Sequence, residues 1–269
     1  MRHERILVGI LYLMAICIGP AMGNTVAALA FSTVSTTEQE RFGERPFDLM
    51  VGDEAPRLEV DTWIQGEPID EFEKGHVYVL DFWATWCRPC VEGIPHMTKL
   101  HEKYKGKATV IGMNIWQRDP ENVEPFVTKM GKKMPYRIAT DLVPEGREAN
   151  EGKMATNWVT AAGQQGIPSV FIVDGAGIIA WIGHPSEMDE PLAQIVGGSF
   201  DLDAHAKKHW SRMEKVALAM PVQERLYAAM GEGSWEEAIV ACDELLALDP
   251  EEYVSAGINK FQVLLQKIG

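Results

Sequence analysis

Cys87 and Cys90 are the residues in this chain whose type and spacing point most directly to chemistry. They lie in WATWCRPCVEGIP, residues 83–95. Two cysteines separated by two residues serve as a redox couple, as half of a zinc site or as a haem-attachment signal. Zinc needs two further soft ligands, but there is no second such pair and Cys242 stands far off and alone. Haem attachment needs His directly after the second Cys, and Val91 is there. The seven His and thirteen Met are scattered along the chain, so a copper site is not indicated and Met keeps its ordinary role as a core filler. No metal or other cofactor is expected. The working unit would be the Cys87–Cys90 disulfide itself.

The N-terminus bears on the same question. MRHER is basic, ILVGILYLMAICIG is uncharged, Pro20 breaks the run, and small residues follow at Ala21, Gly23, Ala28 and Ala30. That order is the order of a secretory signal. Residues 1–30 therefore read as a signal peptide. The alternative is an N-terminal membrane anchor, since the apolar stretch to Phe31 is long enough to span a bilayer. Both readings export the bulk of the chain, to the periplasm or to a membrane-anchored position facing it. One close Cys pair in an exported chain of this length points to redox work rather than to a disulfide scaffold. The net charge is -14, with 25 basic and 39 acidic residues. A chain so acidic, without a long basic run, is not expected to bind nucleic acid.

The elements that must position the pair follow from patterning. Residues 31–49 are polar and read as a linker, 50–200 as the main domain and 201–269 as a helical region. HVYVLDFWA is an apolar, β-rich run typical of a central strand buried on both faces. A helix is predicted from the cysteines to about Tyr104, with Gly106 stopping it. ATVIGMNIW reads as a second buried strand, PENVEPFVTKM as a helix, YRIAT as a short strand and 146–162 as helical. SVFIVD and IIAWIG flank a Gly-Ala-Gly turn and form a hairpin, and 187–197 closes the domain as a helix. Upstream, RLEVDTWIQGEPIDEF alternates around Gly66 and predicts a short hairpin. The result is an α/β fold with a mostly parallel sheet, flanking helices and an antiparallel edge. In the tail, GSWEEAIVACDELLALDP is similar to the second helix of a tetratricopeptide repeat, with Ala238, Cys242, Leu245 and Pro250 at that spacing. A small helical hairpin docked on the main domain is expected there, as a surface for a partner. Cys242 reads as a buried free thiol.

The segment around the cysteines resembles the thioredoxin superfamily, and within it the exported TlpA/ResA-like thiol-disulfide oxidoreductases. FWATWCRPC matches the active-site turn. Asp81 matches the buried acid of thioredoxins, Pro95 the helix-kinking proline, and GIPSVFIVD the strand that begins with the family's cis-proline, Pro168. VGDEAPRLEV resembles the start of the TlpA-like branch. The resemblance implies a thioredoxin-like mixed sheet flanked by helices. It implies protein thiol or disulfide substrates and a redox partner that recharges the pair. It also implies that Ile167 and Pro168 bind substrate backbone beside the disulfide, in the manner of strand addition. TlpA/ResA-like reductases carry a Glu after the strand that follows the active-site helix. Gln117 stands nearest that position and cannot ionise, so Asp81 is expected to serve instead.

Elementary chemistry supports the same roles. A cysteine at a helix N-terminus has its thiolate favoured by unpaired N–H groups and the helix dipole, which makes Cys87 the nucleophile. Cys90, one turn deeper, would resolve the mixed disulfide. Asp81, buried and raised in pKa, would accept its proton. Trp86 is expected to pack over the cysteines and Trp83 to be core. Arg88 and Pro89, between the cysteines, are the tuning candidates, with the Arg88 cation raising the potential. His184 reads as a surface-loop residue and His96 as partly exposed. The Ile before Pro168 resembles that of thioredoxin-type reductases, and the resemblance implies reduction as the slightly favoured direction. The alternatives are a peroxiredoxin-like peroxidase, because GDEAP is shared with that relative, and an adaptor that binds a partner through 201–269.

Overall fold

The computed structural model describes residues 45–268, with side chains to residue 264. The predicted signal or anchor and residues 31–44 of the predicted linker lie outside the described residues. From Arg45 onward the chain is already packed. Leu49 is buried and its N–H donates to Ala161 O at 2.9 Å.

Six strands form one sheet. They are β1 (Val60–Gln65), β2 (Val77–Trp83), β3 (Ala108–Asn114), β4 (Arg137–Asp141), β5 (Ser169–Val173) and β6 (Ile179–Gly183). Their order in space is β1-β4-β3-β2-β5-β6. β2, β3 and β4 run parallel, joined by α1 (Arg88–Lys103) and α2 (Val123–Met130), while β5 and β6 form an antiparallel hairpin on β2. The helix α3 (Asp189–Gly197) follows. The α/β reading and its mixed sheet hold, and every residue of β2 is buried as a central strand requires. The sheet is not mostly parallel, however: only the β2–β3 and β3–β4 pairs are parallel. Antiparallel pairs stand on both sides of them, because β1 pairs with β4 at one edge and β5 pairs with β2 and β6 at the other.

Alternation along β2 divides the core. Val77, Val79 and Trp83 join Ile94, Met97 and Leu100 of α1 and Val123 and Val127 of α2 on one face. Tyr78, Leu80 and Phe82 join Met154, Trp158 and Phe171 on the other. The rings of Phe82, Trp158 and Phe171 meet at 5.3 to 6.2 Å between centroids, a range typical of interlocked aromatic pairs.

Three further expectations need correction. The hairpin around Gly66 is a single strand, β1, whose partner is the distant β4. Alternation reports a half-buried strand but not its neighbour. Arg137 locks the corner: its Nε donates to Glu67 O at 3.0 Å, and a Cβ on Gly66 would meet its Cγ at 2.6 Å. Second, 146–162 is not one helix but a 3-10 turn, Ala149–Glu151, and a π-helical turn, Ala155–Thr160. The break is at Gly152, where a Cβ would fall 2.0 Å from Asp141 Oδ2. The Asp141 carboxylate passes there to accept the N–H groups of Met154 (2.6 Å) and Ala155 (3.0 Å). Third, the tail is three helices rather than a hairpin: α4 (Leu202–Glu232), α5 (Trp235–Leu248) and α6 (Val254–Ile268). Gly233, left-handed at φ 73°, ends α4. These helices share their own core of Leu226, Ala238, Cys242, Leu245 and Val263. Among the described residues no helix is long and apolar enough to cross a membrane.

Candidate active site

The parallel strand β2 delivers the chain to the site. After Trp83 it turns, and Cys87 becomes the N-cap of α1 with Pro89 in the first turn, where its missing N–H costs nothing. Cys87 and Cys90 are joined in a disulfide, with Cα atoms 5.3 Å apart. The Cys90 N–H donates to Cys87 Sγ at 3.3 Å, so the sulfur occupies the position of a helix-capping oxygen. The expected difference in shielding is absent in this oxidised form, because Cys87 and Cys90 are buried alike. The asymmetry lies in their contacts. Cys87 takes the cap, and its Sγ lies 3.6 Å from the carbonyl oxygen of Ile167. The Ile167–Pro168 peptide bond is cis.

Asp81 lies on β2 in the alternation position that faces α1. It is 5 % exposed, and burial pushes its carboxyl from 3.8 up to about 7. The only charged side chain on that buried strand therefore changes protonation near neutrality.

Trp86 does not lie sealed over the cysteines. It is 45 % exposed. Its Nε1 donates to Trp116 O at 2.9 Å, and the Arg118 guanidinium sits 5.3 Å from its ring centroid. Trp83, by contrast, is core, as expected. Arg88 turns away from the sulfurs, its Nε donating to Glu92 Oε1 at 2.7 Å one helical turn on. Its side chain is 88 % exposed. His184 is exposed, and half-buried His96 pairs with Asp189 at 2.6 Å. Among the described residues no cluster of three or more His, Cys, Asp or Glu is arranged to hold a metal ion.

Several structural roles around the site were not expected. Gln117 is a strut rather than an acid. Its Oε1 accepts the Thr85 N–H (3.1 Å) and Asn114 Nδ2–H (3.3 Å), and its Nε2 donates to Thr85 Oγ1 at 2.7 Å. This ties the loop after β3 to the loop before the cysteines. Trp116 has φ 53°, the one non-glycine at positive φ among the described residues. For a bulky side chain that conformation is strained. Tyr136 and His101 also line the Asp81 side of the core. The signal available for them was Gly112, a lone glycine inside a buried strand, which marks a close approach.

Comparison with known proteins follows this geometry. The redoxin family model matches residues 50–196. FixW of Rhizobium leguminosarum is 24% identical over 213 residues, 76% of this chain and 93% of that one. The thiol:disulfide interchange protein HelX of Rhodobacter capsulatus is 31% identical over 159 residues, 56% of this chain and 80% of HelX. The thiol-disulfide oxidoreductase ResA of Bacillus anthracis is 37% identical over 92 residues, 34% of this chain and about half of ResA, 52%. Among solved structures, a thiol-disulfide isomerase of Corynebacterium glutamicum superposes with TM-score 0.45 at 24% identity, over 55% of this chain and 97% of that one. The chain belongs to the redoxin family and is a thioredoxin-like thiol-disulfide oxidoreductase of the TlpA/ResA-like kind.

Proposed function

We propose that this oxidoreductase works outside the cytoplasm, periplasmic or tethered at a membrane, and exchanges its Cys87–Cys90 pair with protein substrates, mainly as a reductase. The observation that carries the reading is the capped disulfide at the start of α1 with a buried, neutral-range carboxyl on the strand beneath it.

In the reducing direction the Cys87 thiolate attacks a substrate disulfide. A Cys87–substrate disulfide forms, and one substrate sulfur leaves as a thiolate that takes a proton. Cys90 then gives its proton to the Asp81 carboxylate and attacks Cys87 Sγ. The Cys87–Cys90 bond forms, the second substrate sulfur leaves, and the substrate has gained two electrons and two protons. A separate thiol donor restores the dithiol. Substrate backbone pairs beside Ile167 and Pro168, whose segment supplies the carbonyl next to Cys87. Trp86 offers an exposed ring next to Cys87 in the chain. Arg88, paired with Glu92, makes a small contribution to the potential, and Pro89 starts the helix that caps Cys87. The tail helices α4–α6 are read as a partner-binding addition.

A Cys90→Ser protein, expressed in its native compartment, tests this reading. It should accumulate mixed disulfides through Cys87, on proteins whose own cysteines are exported. Recovery of Cys87 only as a free thiol would count against protein substrates.

A further inference from the structure

Asp81 stands opposite Gly112 in the parallel pairing of β2 with β3. A Cβ on Gly112 would lie 3.1 Å from Trp83 Nε1 and 3.2 Å from Tyr136 Cε2. The indole N–H and the phenol ring therefore lean into the space that Gly112 leaves beside Asp81. Tyr136 is within electrostatic reach of the carboxyl: burial first, and then the Asp81 charge, raise its hydroxyl well above the usual tyrosine range. The polar atoms of this space lack protein partners. Trp83 Nε1 and Tyr136 Oη are both buried without a hydrogen bond to protein.

The file continues outward. The ring of His101, in the last turn of α1, has its centroid 6.3 Å from that of Tyr136. Its Nδ1 is buried and equally without a protein partner. The residue as a whole is half-buried and so meets solvent. Buried polar atoms are retained where ordered water or another partner satisfies them. Three such atoms, on Trp83, Tyr136 and the half-buried His101, in a core otherwise made of Val79, Met97, Leu100 and Ile138, supply the polar stations a water-bridged proton path requires.

We propose that Tyr136 and His101 form a rear proton path, which carries the proton that Asp81 takes from Cys90 out to solvent behind the disulfide face. This rests on the reading of Asp81 as the acceptor for Cys90. In the step concerned, Cys90 S–H loses its proton to Asp81, the Cys90 thiolate forms a bond to Cys87 Sγ, and the Cys87–substrate bond breaks with its electron pair on the leaving sulfur. Asp81 is left neutral. Its proton passes through water between Trp83 Nε1 and Tyr136 Oη to the His101 imidazole and then to bulk. The path has a purpose that the front face cannot serve, because a protein substrate docked over Trp86 and Ile167 covers that face throughout the reaction. The titratable group that interacts with Asp81 is Tyr136 before β4, while β3 and β5 set Gly112 and Val170 opposite it. Burial, then Lys105 and Arg137 against the opposing Glu102, keep the His101 imidazole below its ordinary pKa. It is therefore mostly neutral at pH 7, as a relay must be.

The test uses full-length reduced protein mixed rapidly with excess insulin, a disulfide-bonded protein that covers the front face. Tryptophan fluorescence reports closure of the Cys87–Cys90 bond. At high probe concentration the rate reaches a first-order plateau set by Cys90 attack. Tyr136→Phe keeps the ring and removes the hydroxyl, and should move the acid limb of the plateau's pH profile up by about one unit. His101→Ala should lower the plateau at pH 7 about tenfold in dilute buffer, with recovery on adding imidazole. An unmoved limb in the first variant, or a plateau indifferent to imidazole in the second, overturns the path. Asp81→Asn is the reference. If it leaves the plateau unchanged, the role of Asp81 itself fails. If it slows the plateau while both path variants match wild type, only the path fails.

Discussion

Trp86 donates its indole N–H to the carbonyl of Trp116 at 2.9 Å, and Trp116 holds that carbonyl in place with a left-handed backbone at φ 53°. The most exposed aromatic beside the disulfide is thus anchored by a strained residue on a different loop. Strain of this kind survives only where the surroundings over-determine it. The Gln117 hydrogen bonds to Thr85 and Asn114 do so here.

Gln117→Ala should therefore loosen the site before it unfolds the protein. Loss of hydrogen bonds to a buried loop costs roughly 1–3 kcal/mol. Chemical denaturation should show a drop of that size. Amide exchange should quicken at Thr85 and Trp86, and Trp86 fluorescence should shift toward that of a freely hydrated indole. A fully stable variant with unchanged exchange would show that the strut is not needed.

Asp81 gives the oxidised protein a pH-dependent stability of definite sign. Its folded pKa is raised from 3.8 to about 7. Between those values the folded state holds a proton that the unfolded state has lost, so stability falls as pH rises through that window. The full span corresponds to at most about 4 kcal/mol. Asp81→Asn removes this loss. Its advantage over wild type in urea denaturation should be near zero below pH 4 and largest above pH 7. Asp141, raised to about 6 chiefly by burial, leaves a smaller slope of the same sign in the variant. Parallel stability curves for the two proteins would contradict the buried carboxyl.

Asp141 is a structural acid. It caps the Met154 and Ala155 N–H groups through the gap at Gly152. Asp141→Ala should cost about 1–2 kcal/mol, the range of a lost helix cap. Gly152→Ala should cost at least as much, since its methyl would displace the same carboxylate. Neither change should alter the redox midpoint of the Cys87–Cys90 pair.

Arg88 is turned to Glu92 and is largely in water, where such charges are screened and exposed pairs contribute little. Arg88→Ala should shift the midpoint by less than about 10 mV, a few tenths of a kcal/mol for a two-electron couple. Titration against glutathione measures it. A shift of about 30 mV or more would restore Arg88 as a principal tuner.

Much of this was legible in the sequence. β2 and β5 are short, predominantly apolar runs rich in β-branched and aromatic residues, the pattern of a strand buried on both faces. The cysteines after β2, Asp81 within it and Pro168 before β5 stood in one pattern. What stayed hidden depends on side-chain direction and distant pairing. Alternation in β1 does not say that β4 is its partner. Arg88 sits beside a cysteine in sequence, but the helix carries it one turn toward Glu92. Gln117 could be seen to lack a charge, while its hydrogen bonds to a loop thirty-two residues away in sequence could not. Tyr136 precedes β4 and His101 lies in the last turn of α1, and only the folded packing of helix on sheet brings their rings together.

The most direct test of the account is the mass of the covalent species formed when the reduced protein meets a disulfide-bonded protein substrate such as insulin and is quenched in acid. With Cys90→Ser, the expected product is one substrate chain joined through Cys87, stable over time and absent from Cys87→Ser. Wild type should pass to its own Cys87–Cys90 disulfide and release the substrate reduced. A Cys87→Ser protein that captures substrate through Cys90 as readily, or a Cys90→Ser protein that still turns over, would contradict the assignment of Cys87 as nucleophile and Cys90 as resolving thiol.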